Sequence, residues 1–326
     1  MHLKQALTSA VEQLDASDAG SPRLNAETLL MFVLGVNRAY LYAHPERELT
    51  PEEDSRYDEV IAQRSAGVPS QYITGHQEFW GLDFVVSPAV LIPRPETEHL
   101  VEMALELARE VPSPRIVDVG TGSGCIALAL AHELKNAEVY AVDLSADALE
   151  IARANAARLQ LEQRVRFLQC DVLTPIEKPE GGVILSEATS PTAGEPSRRA
   201  CPELAEGTPF PAEIFRDFDF VVSNPPYVGL NEADKVQRSV FEFEPKMAVF
   251  AGENGLDVIR PLIGQAHSAL KTGGHLVMEI GYSMCDAVLG LLNPTLWDEM
   301  RVVPDLQGIP RVVAGKKRTS DVTSPT

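Results

Sequence analysis

The feature that most restricts what this chain can fold into is an alternation of short apolar runs with helix-period segments between residues 115 and 169. Arg115 to Val119, Glu138 to Val142 and Val165 to Gln169 are too short for helices and apolar enough to be buried on both faces of a sheet. Between them, about Gly124 to Leu134 and Ala146 to Leu159 read as helices. Strands joined through helices run parallel, so the region predicts βαβαβ and a doubly wound α/β sheet. Phe218 to Ser223 and His275 to Ile280 add two strands, with a helix from Leu256 to Leu270 before the second. Trp297 to Val303 and Arg311 to Ala314 read as an antiparallel hairpin at the sheet edge.

The texture upstream is different. Leu3, Leu7, Val11 and Leu14 recur at helical spacing until Ser17 to Ser21 break the pattern. A second helix begins near Pro22, carries Leu29, Leu30, Phe32, Val33 and Leu34, and stops at Gly35. Thr50-Pro51-Glu52-Glu53 is a capping box that opens a third helix, running to about Gly67. Residues 1–75 are therefore expected to form a small helical bundle, 76–98 a linker hairpin around Phe84, Val85 and Val86, and 99–316 the sheet domain, whose first helix spans Glu96 to Glu110. Two domains suit 326 residues, and 44% apolar content is enough for two cores. Residues 177–213, rich in Pro, Gly, Ser, Thr, Ala and Glu, read as a flexible insertion, and 317–326 as a disordered tail.

With 28 Lys plus Arg against 47 Asp plus Glu, the formal charge is −19. Phosphate backbones and anionic headgroups repel such a surface, so neither a nucleic acid nor a membrane is an expected direct partner. No apolar run approaches the roughly 18 residues of a membrane span, and the first twenty residues lack the apolar stretch of a signal peptide, so the expected location is the cytoplasm. Cys125, Cys170, Cys201 and Cys285 form no C-x-x-C pair and the histidines are scattered, so no metal is expected.

Chemistry concentrates at two strand ends. Asp118-Val119-Gly120-Thr121-Gly122-Ser123-Gly124 closes one strand and opens a helix, where glycines let backbone approach a ligand and unpaired N–H groups are presented. A glycine-rich turn can serve packing alone, so the neighbouring residues decide. A dinucleotide fingerprint needs glycine where this chain has Cys125, which disfavours a nicotinamide oxidoreductase. An acid two residues before G-x-G-x-G is instead typical of S-adenosylmethionine (SAM) methyltransferases. In such a site Asp118 orients the loop near the amino-acid end of the cofactor, Asp143 takes the ribose hydroxyls, and Cys170-Asp171-Val172 frames the adenine.

The second strand end is Ser223-Asn224-Pro225-Pro226-Tyr227. A Pro-Pro pair can be a plain turn, but the carboxyl edge of a parallel sheet is where open α/β folds place their ligands. A planar –NH2 is a poor nucleophile because its lone pair is delocalised. The Asn224 side-chain oxygen and the Pro225 carbonyl could each accept one N–H and favour a tetrahedral nitrogen, with the prolines stiffening the backbone and Tyr227 stacking on the substrate plane. Catalysis would then be positioning and electrostatic stabilisation.

Together these motifs resemble amino-methyltransferases of DNA adenine and of protein glutamine. Val90-Leu91-Ile92-Pro93-Arg94-Pro95-Glu96-Thr97-Glu98 narrows the resemblance to the peptide chain release factor glutamine methyltransferases, the PrmC/HemK family. Arg64 to Gly75, Phe243-Glu244-Pro245, Gly252 to Arg260, Met278-Glu279-Ile280-Gly281 and Asp305 to Gly315 match as well, in order along nearly the whole chain. The resemblance implies a Rossmann-like class I SAM-dependent methyltransferase domain behind a helical bundle that helps dock the release factor, and a monomer. It further implies that the glutamine of the Gly-Gly-Gln motif is methylated on its side-chain amide. By the same resemblance Gly120, Thr121, Gly122, Ser123 and Gly124 contact SAM, Asp143 its ribose, and Asp171 with Val172 its adenine region. Asn224, Pro225, Pro226 and Tyr227 hold the glutamine, with Asn224 also at the cofactor, while Arg94 and Thr97 close the cofactor pocket. Two departures are the long 177–213 insertion and Met284, where relatives often have glutamine.

Four other readings compete. A ribosomal protein glutamine methyltransferase shares the N-P-P-Y chemistry but usually differs where this chain has Pro93 to Glu98. A DNA adenine methyltransferase would ordinarily carry a basic target-recognition region. A catalytically idle binding module would not need an intact Asn224 and glycine loop. The nicotinamide oxidoreductase is the fourth.

Overall fold

The computed structural model describes residues 1–17, 19–175 and 215–319. The predicted insertion at 177–213 lies outside them.

The chain opens with α1 (Leu3–Ala16), α2 (Pro22–Leu34), α3 (Arg38–Ala43), α4 (Pro51–Ser65) and α5 (Ser70–Thr74). Pro22 at the first helical turn and Gly35 at φ 63° bound α2 as read from the sequence. The capping box of α4 is present: Glu53 N–H donates to Thr50 Oγ1 (3.2 Å) and Thr50 N–H to Glu53 Oε2 (3.0 Å). In α1 the buried face is Leu3, Ala6, Ala10 and Leu14, and Leu7 and Val11 fall to its margin. Small alanines let α1 approach α2 closely, so the face turned inward is not the one with the largest side chains. The helices α3 and α5 are too short to show a period; α3 owes its start to Asn37, whose Oδ1 accepts from Tyr40 N–H (3.0 Å). Leu29, Leu30, Tyr57 and Ile61 complete this separate core.

A two-stranded hairpin follows, β1 (His76–Phe79) and β2 (Leu82–Val85), and then α6 (Glu98–Ala108). The sheet domain comprises β3 (Arg115–Val119), α7 (Cys125–Glu133), β4 (Glu138–Asp143), α8 (Ala146–Arg158), β5 (Val165–Asp171), β6 (Thr174–Pro175) and β7 (Phe218–Ser223). It continues with α9 (Arg238–Phe243), α10 (Lys246–Val249), α11 (Ile259–Ala269), β8 (Leu270–Glu279), α12 (Cys285–Leu291), β9 (Trp297–Pro304) and β10 (Pro310–Lys317). Among the described residues the sheet order is β6-β5-β4-β3-β7-β8-β10-β9, parallel from β5 to β8, with β10 antiparallel to both neighbours. The alternating pattern and the edge hairpin are as read from the sequence. The last strand extends to Lys317, the first residue of the expected tail. Its Nζ donates to the His267 and Leu270 carbonyls (2.6 Å each), and Arg318 N–H donates to Leu296 O (2.9 Å).

Apolar strands bury both faces of this sheet. One core lies between it and α6, α7 and α8; the other lies between it and α11 and α12 and holds Phe218, Leu262, Met284 and Trp297. Met284, noted as a departure, is thus a core side chain.

Asn155, fully buried on α8, links the hairpin to the sheet. Its Oδ1 accepts from Val85 N–H (2.7 Å), and its Nδ2 donates to Val85 O (2.9 Å) and to Ser123 O (2.9 Å).

Candidate active site

The chain runs outward from β3 through β4 to β5, then returns to lay β7 on the other side of β3. Connections therefore leave β3 and β7 in opposite directions, and their carboxyl ends open a crevice that neither connection covers. Val119 pairs with Ser223 at this point, and Ser223 Oγ donates to Val119 O (2.7 Å). The glycine loop and Asn224-Pro225-Pro226 consequently face one cavity of about 490 Å³, which Arg94, Thr97, Asp143, Asp171 and Val172 also line.

The loop is shaped by local hydrogen bonds. Gly120 N–H and Thr121 N–H donate to Val142 O (2.8 and 3.0 Å), and Gly122 N–H donates to Asp143 Oδ2 (2.8 Å). Asp143 Oδ1 accepts from Ser145 N–H (2.9 Å). Burial pushes the Asp143 carboxyl upward, opposed by these backbone donors. At the start of α7, Gly124 sits at φ 83°, and a Cβ there would meet Leu128 at 3.1 Å and Ala152 at 3.2 Å. Its lack of a side chain lets α7 and α8 close behind the loop.

Asp118 has no exposure and does not line the cavity. Its Oδ2 accepts from Thr121 Oγ1 (2.6 Å) and Ala127 N–H (3.2 Å), while Oδ1 has no partner among the described residues. Burial pushes its pKa up to about 7. The expected loop-orienting role is consistent with this geometry; direct reach toward a ligand is not part of it.

At the other strand end, Asn224 Nδ2 donates to Thr97 Oγ1 (3.0 Å), and Thr97 Oγ1 donates to Glu279 Oε2 (2.6 Å). Asn224 Oδ1 has no partner among the described residues. Tyr227 Oη donates to Glu279 Oε1 (3.3 Å). The ring therefore turns inward against Gly281, outside the cavity lining, where the sequence reading had it stacking on substrate. The Arg94 guanidinium donates to the buried Glu244 carboxylate, which also accepts from Ile92 N–H (3.3 Å).

Of the expected site residues, Arg94, Thr97, Gly120, Thr121, Gly122, Ser123, Asp143, Asp171, Val172, Asn224, Pro225 and Pro226 converge on the cavity; Asp118, Gly124 and Tyr227 stand behind its wall. Val172 holds φ 57°, an uncommon conformation for a β-branched residue, at the cavity edge. Glu279, Glu244 and Asn155, which hydrogen-bond to Thr97, Arg94 and Ser123 of the site, are not among the residues expected from the sequence. The first two fall within stretches noted for resemblance, yet a single acid ending an apolar strand or following a phenylalanine carries no local pattern.

A family profile described as PrmC N-terminal domain matches residues 5–75, and one described as methyltransferase domain matches residues 111–192. The release factor glutamine methyltransferase of Koribacter versatilis is 53% identical over 320 residues, 98% of this chain and 100% of that protein. The chain belongs to the release factor glutamine methyltransferases. Further members are those of Moorella thermoacetica (39% identical, 98% of this chain and 99% of that one) and Vibrio cholerae (37%, 97% of each). Among solved structures, the hMettl16 catalytic domain in complex with MAT2A 3'UTR hairpin 6 superposes with a TM-score of 0.51 at 16% identity, over 80% of this chain and 84% of that one, a likeness of fold. The family's class I methyltransferase domain is therefore the α/β sheet domain, and its N-terminal domain the helical bundle. Among the described residues no helix is long and apolar enough to cross a membrane.

Proposed function

We propose that this chain methylates the side-chain amide nitrogen of the glutamine in the Gly-Gly-Gln motif of peptide chain release factors, with S-adenosylmethionine as the methyl donor. The observation that carries the reading is the Asn224 amide. Its nitrogen is committed to Thr97, which leaves Oδ1 as an acceptor on a side chain that lines the cavity, one strand away from the glycine loop.

The donor set fits the cofactor. Asp143 and Asp171 give the cavity wall negative charge, while its cation Arg94 is neutralised by Glu244, a field suited to a ligand carrying a sulfonium and an ammonium. Ser123 Oγ is buried without a partner on a lining residue, and Leu144, Val172 and Pro261 offer apolar walls for a planar base. Gly120 to Ser123 would hold its amino-acid end, Asp143 its ribose and Asp171 with Val172 its adenine; Asp118 and Gly124 support that loop from behind. When bound, the cofactor supplies a methyl group on positively charged sulfur.

The chain's own work is to prepare the nucleophile. Asn224 Oδ1 and the Pro225 carbonyl each accept one N–H of the glutamine amide, drawing its nitrogen toward a tetrahedral geometry with the lone pair turned to the donor. Pro225 and Pro226 fix the backbone that carries both acceptors. Tyr227 contributes through Glu279. Acceptors already oriented before substrate arrives stabilise charge developing on nitrogen without reorganisation, so no strong base is required. The reaction is placed in the cytoplasm.

The test incubates the protein with labelled SAM and a purified release factor, intact or with the Gly-Gly-Gln glutamine changed to alanine. Label confined to the intact factor is the expected result, and equal labelling of both would refute the assignment.

A further inference from the structure

We propose that Glu279 is a positioning residue for methyl transfer, acting through Thr97 to fix which face of the Asn224 amide is offered to the substrate. The inference rests on the reading of Asn224 as an acceptor for the substrate N–H, and goes beyond it by saying what makes Asn224 an acceptor.

The logic is a count of protons. A threonine hydroxyl has one proton and two lone pairs, and an ionised carboxylate can only accept. Thr97 lies between Glu279 Oε2 at 2.6 Å and the Asn224 amide at 3.0 Å. Its proton goes to the carboxylate, so only its lone pairs face Asn224, and Asn224 must present Nδ2 to them. Oδ1 is then the atom left for the cavity. Thr97 is 2% exposed, Glu279 2%, so water does not supply an alternative partner. Tyr227 Oη on the second carboxylate oxygen at 3.3 Å keeps Glu279 from turning.

Protonated, Glu279 can donate to Thr97; the Thr97 proton is then free for Asn224 Oδ1, and the amide reverses. The reversed amide shows two donors to a substrate –NH2, which is itself two donors. The arrangement is productive only while Glu279 is ionised. Burial pushes this carboxyl up to about 7; Glu96 pushes the same way, while Arg311 on β10, Thr97 and Tyr227 oppose it, and the buried Cys125 thiol on α7 faces it as well. Turnover therefore rises with pH through neutrality. Asp118 rises to about 7 too, but it supports the loop, so its titration reads in cofactor affinity and is absent when SAM is saturating.

The experiment measures kcat/KM for a release factor at saturating SAM across pH 5.5 to 8.5, and SAM affinity by calorimetry, for Asn224→Ala, Thr97→Val, Thr97→Ser and Glu279→Gln. Thr97→Val makes productive binding bury an unpaired Nδ2, so kcat/KM at pH 8 falls about 10-fold or more. SAM affinity stays within about threefold, and the acidic limb near pH 7 disappears. Thr97→Ser keeps the hydroxyl and restores both rate and limb; Glu279→Gln cannot titrate and loses the limb. A Thr97→Val enzyme that keeps the rate or the limb, or that loses only SAM affinity, overturns the proposal, as does a limb that survives Glu279→Gln. Full activity in Asn224→Ala would instead overturn the reading of Asn224 itself, and the two failures are told apart by that variant.

Discussion

Asn155→Ala should loosen the cofactor loop from a distance. The side chain has no exposure, and its three hydrogen bonds join Val85 N–H, Val85 O and Ser123 O at 2.7, 2.9 and 2.9 Å. Each such bond contributes on the order of 1 kcal/mol net, and buried groups left without partners cost more, so the substitution should remove roughly 3 kcal/mol. At about 2 to 4 °C per kcal/mol for a domain of this size, the melting temperature should drop by roughly 6 to 12 °C. Ser123 carries the loop that lines the cavity, so SAM affinity should fall as well, and saturating SAM should recover part of the lost melting temperature by mass action. Differential scanning fluorimetry with and without SAM reads both effects. A melting temperature within about 2 °C of the parent would mean that these bonds do not hold the hairpin to the loop.

Three further outcomes follow from the same geometry. Gly124→Ala places a Cβ at φ 83° against Leu128 and Ala152, and should cost about 1 to 3 kcal/mol and weaken SAM binding, measured by chemical denaturation and calorimetry. Asp118 and Glu279 both have folded pKa values near 7, above the ordinary 3.8 and 4.5, so the folded state holds more protons between those limits. Stability from each group is present below the lower value and is lost as pH rises to about 7, at no more than about 1.4 kcal/mol per pH unit. Asp118→Asn should flatten that decline in urea titrations run from pH 4 to 7. For the Arg94–Glu244 pair, Arg94→Ala should destabilise more than Glu244→Ala: the Glu244 side chain is 1% exposed and cannot reach water once its partner is gone, whereas Arg94 at 33% can. Equal melting temperatures for the two variants would contradict this.

How much of this was legible depended on whether chemistry was carried by a run of neighbours or by one side chain. Asp118 to Gly124 and Ser223 to Tyr227 are contiguous, each pinned to a strand end by the apolar run before it, so both are legible as loops at the carboxyl edge of a parallel sheet; their approach comes from β7 lying beside β3, which no local run encodes. The helix α4 announced itself through a capping box, a signal confined to four residues. The helices α3 and α5 did not, because six and five residues complete fewer than two turns and cannot display a period. The side of α1 that turned inward was set by how closely α2 could approach over Ala6 and Ala10, a tertiary fact that the spacing of the large apolar residues does not encode.

Tyr227 shows what local reasoning about a motif leaves out. An aromatic beside a flat substrate suggests stacking, but its hydroxyl is held by Glu279, on the far side of β7 in the next strand of the sheet, a partner the motif does not name. Thr97 is legible as part of a motif, but its place between Asn224 and Glu279 is not. Asn155 and Glu279 are each a lone polar residue on an otherwise apolar stretch, and sequence gives such a residue no partner. Burial gives it one, since a polar group withdrawn from water must be paired or pay several times the net worth of a hydrogen bond. The same requirement that hid these residues from the sequence makes them decisive in the fold. Thr97 comes from the turn before α6, Asn224 from the end of β7 and Glu279 from the end of β8, and only the assembled sheet brings one hydroxyl proton within reach of a choice between them.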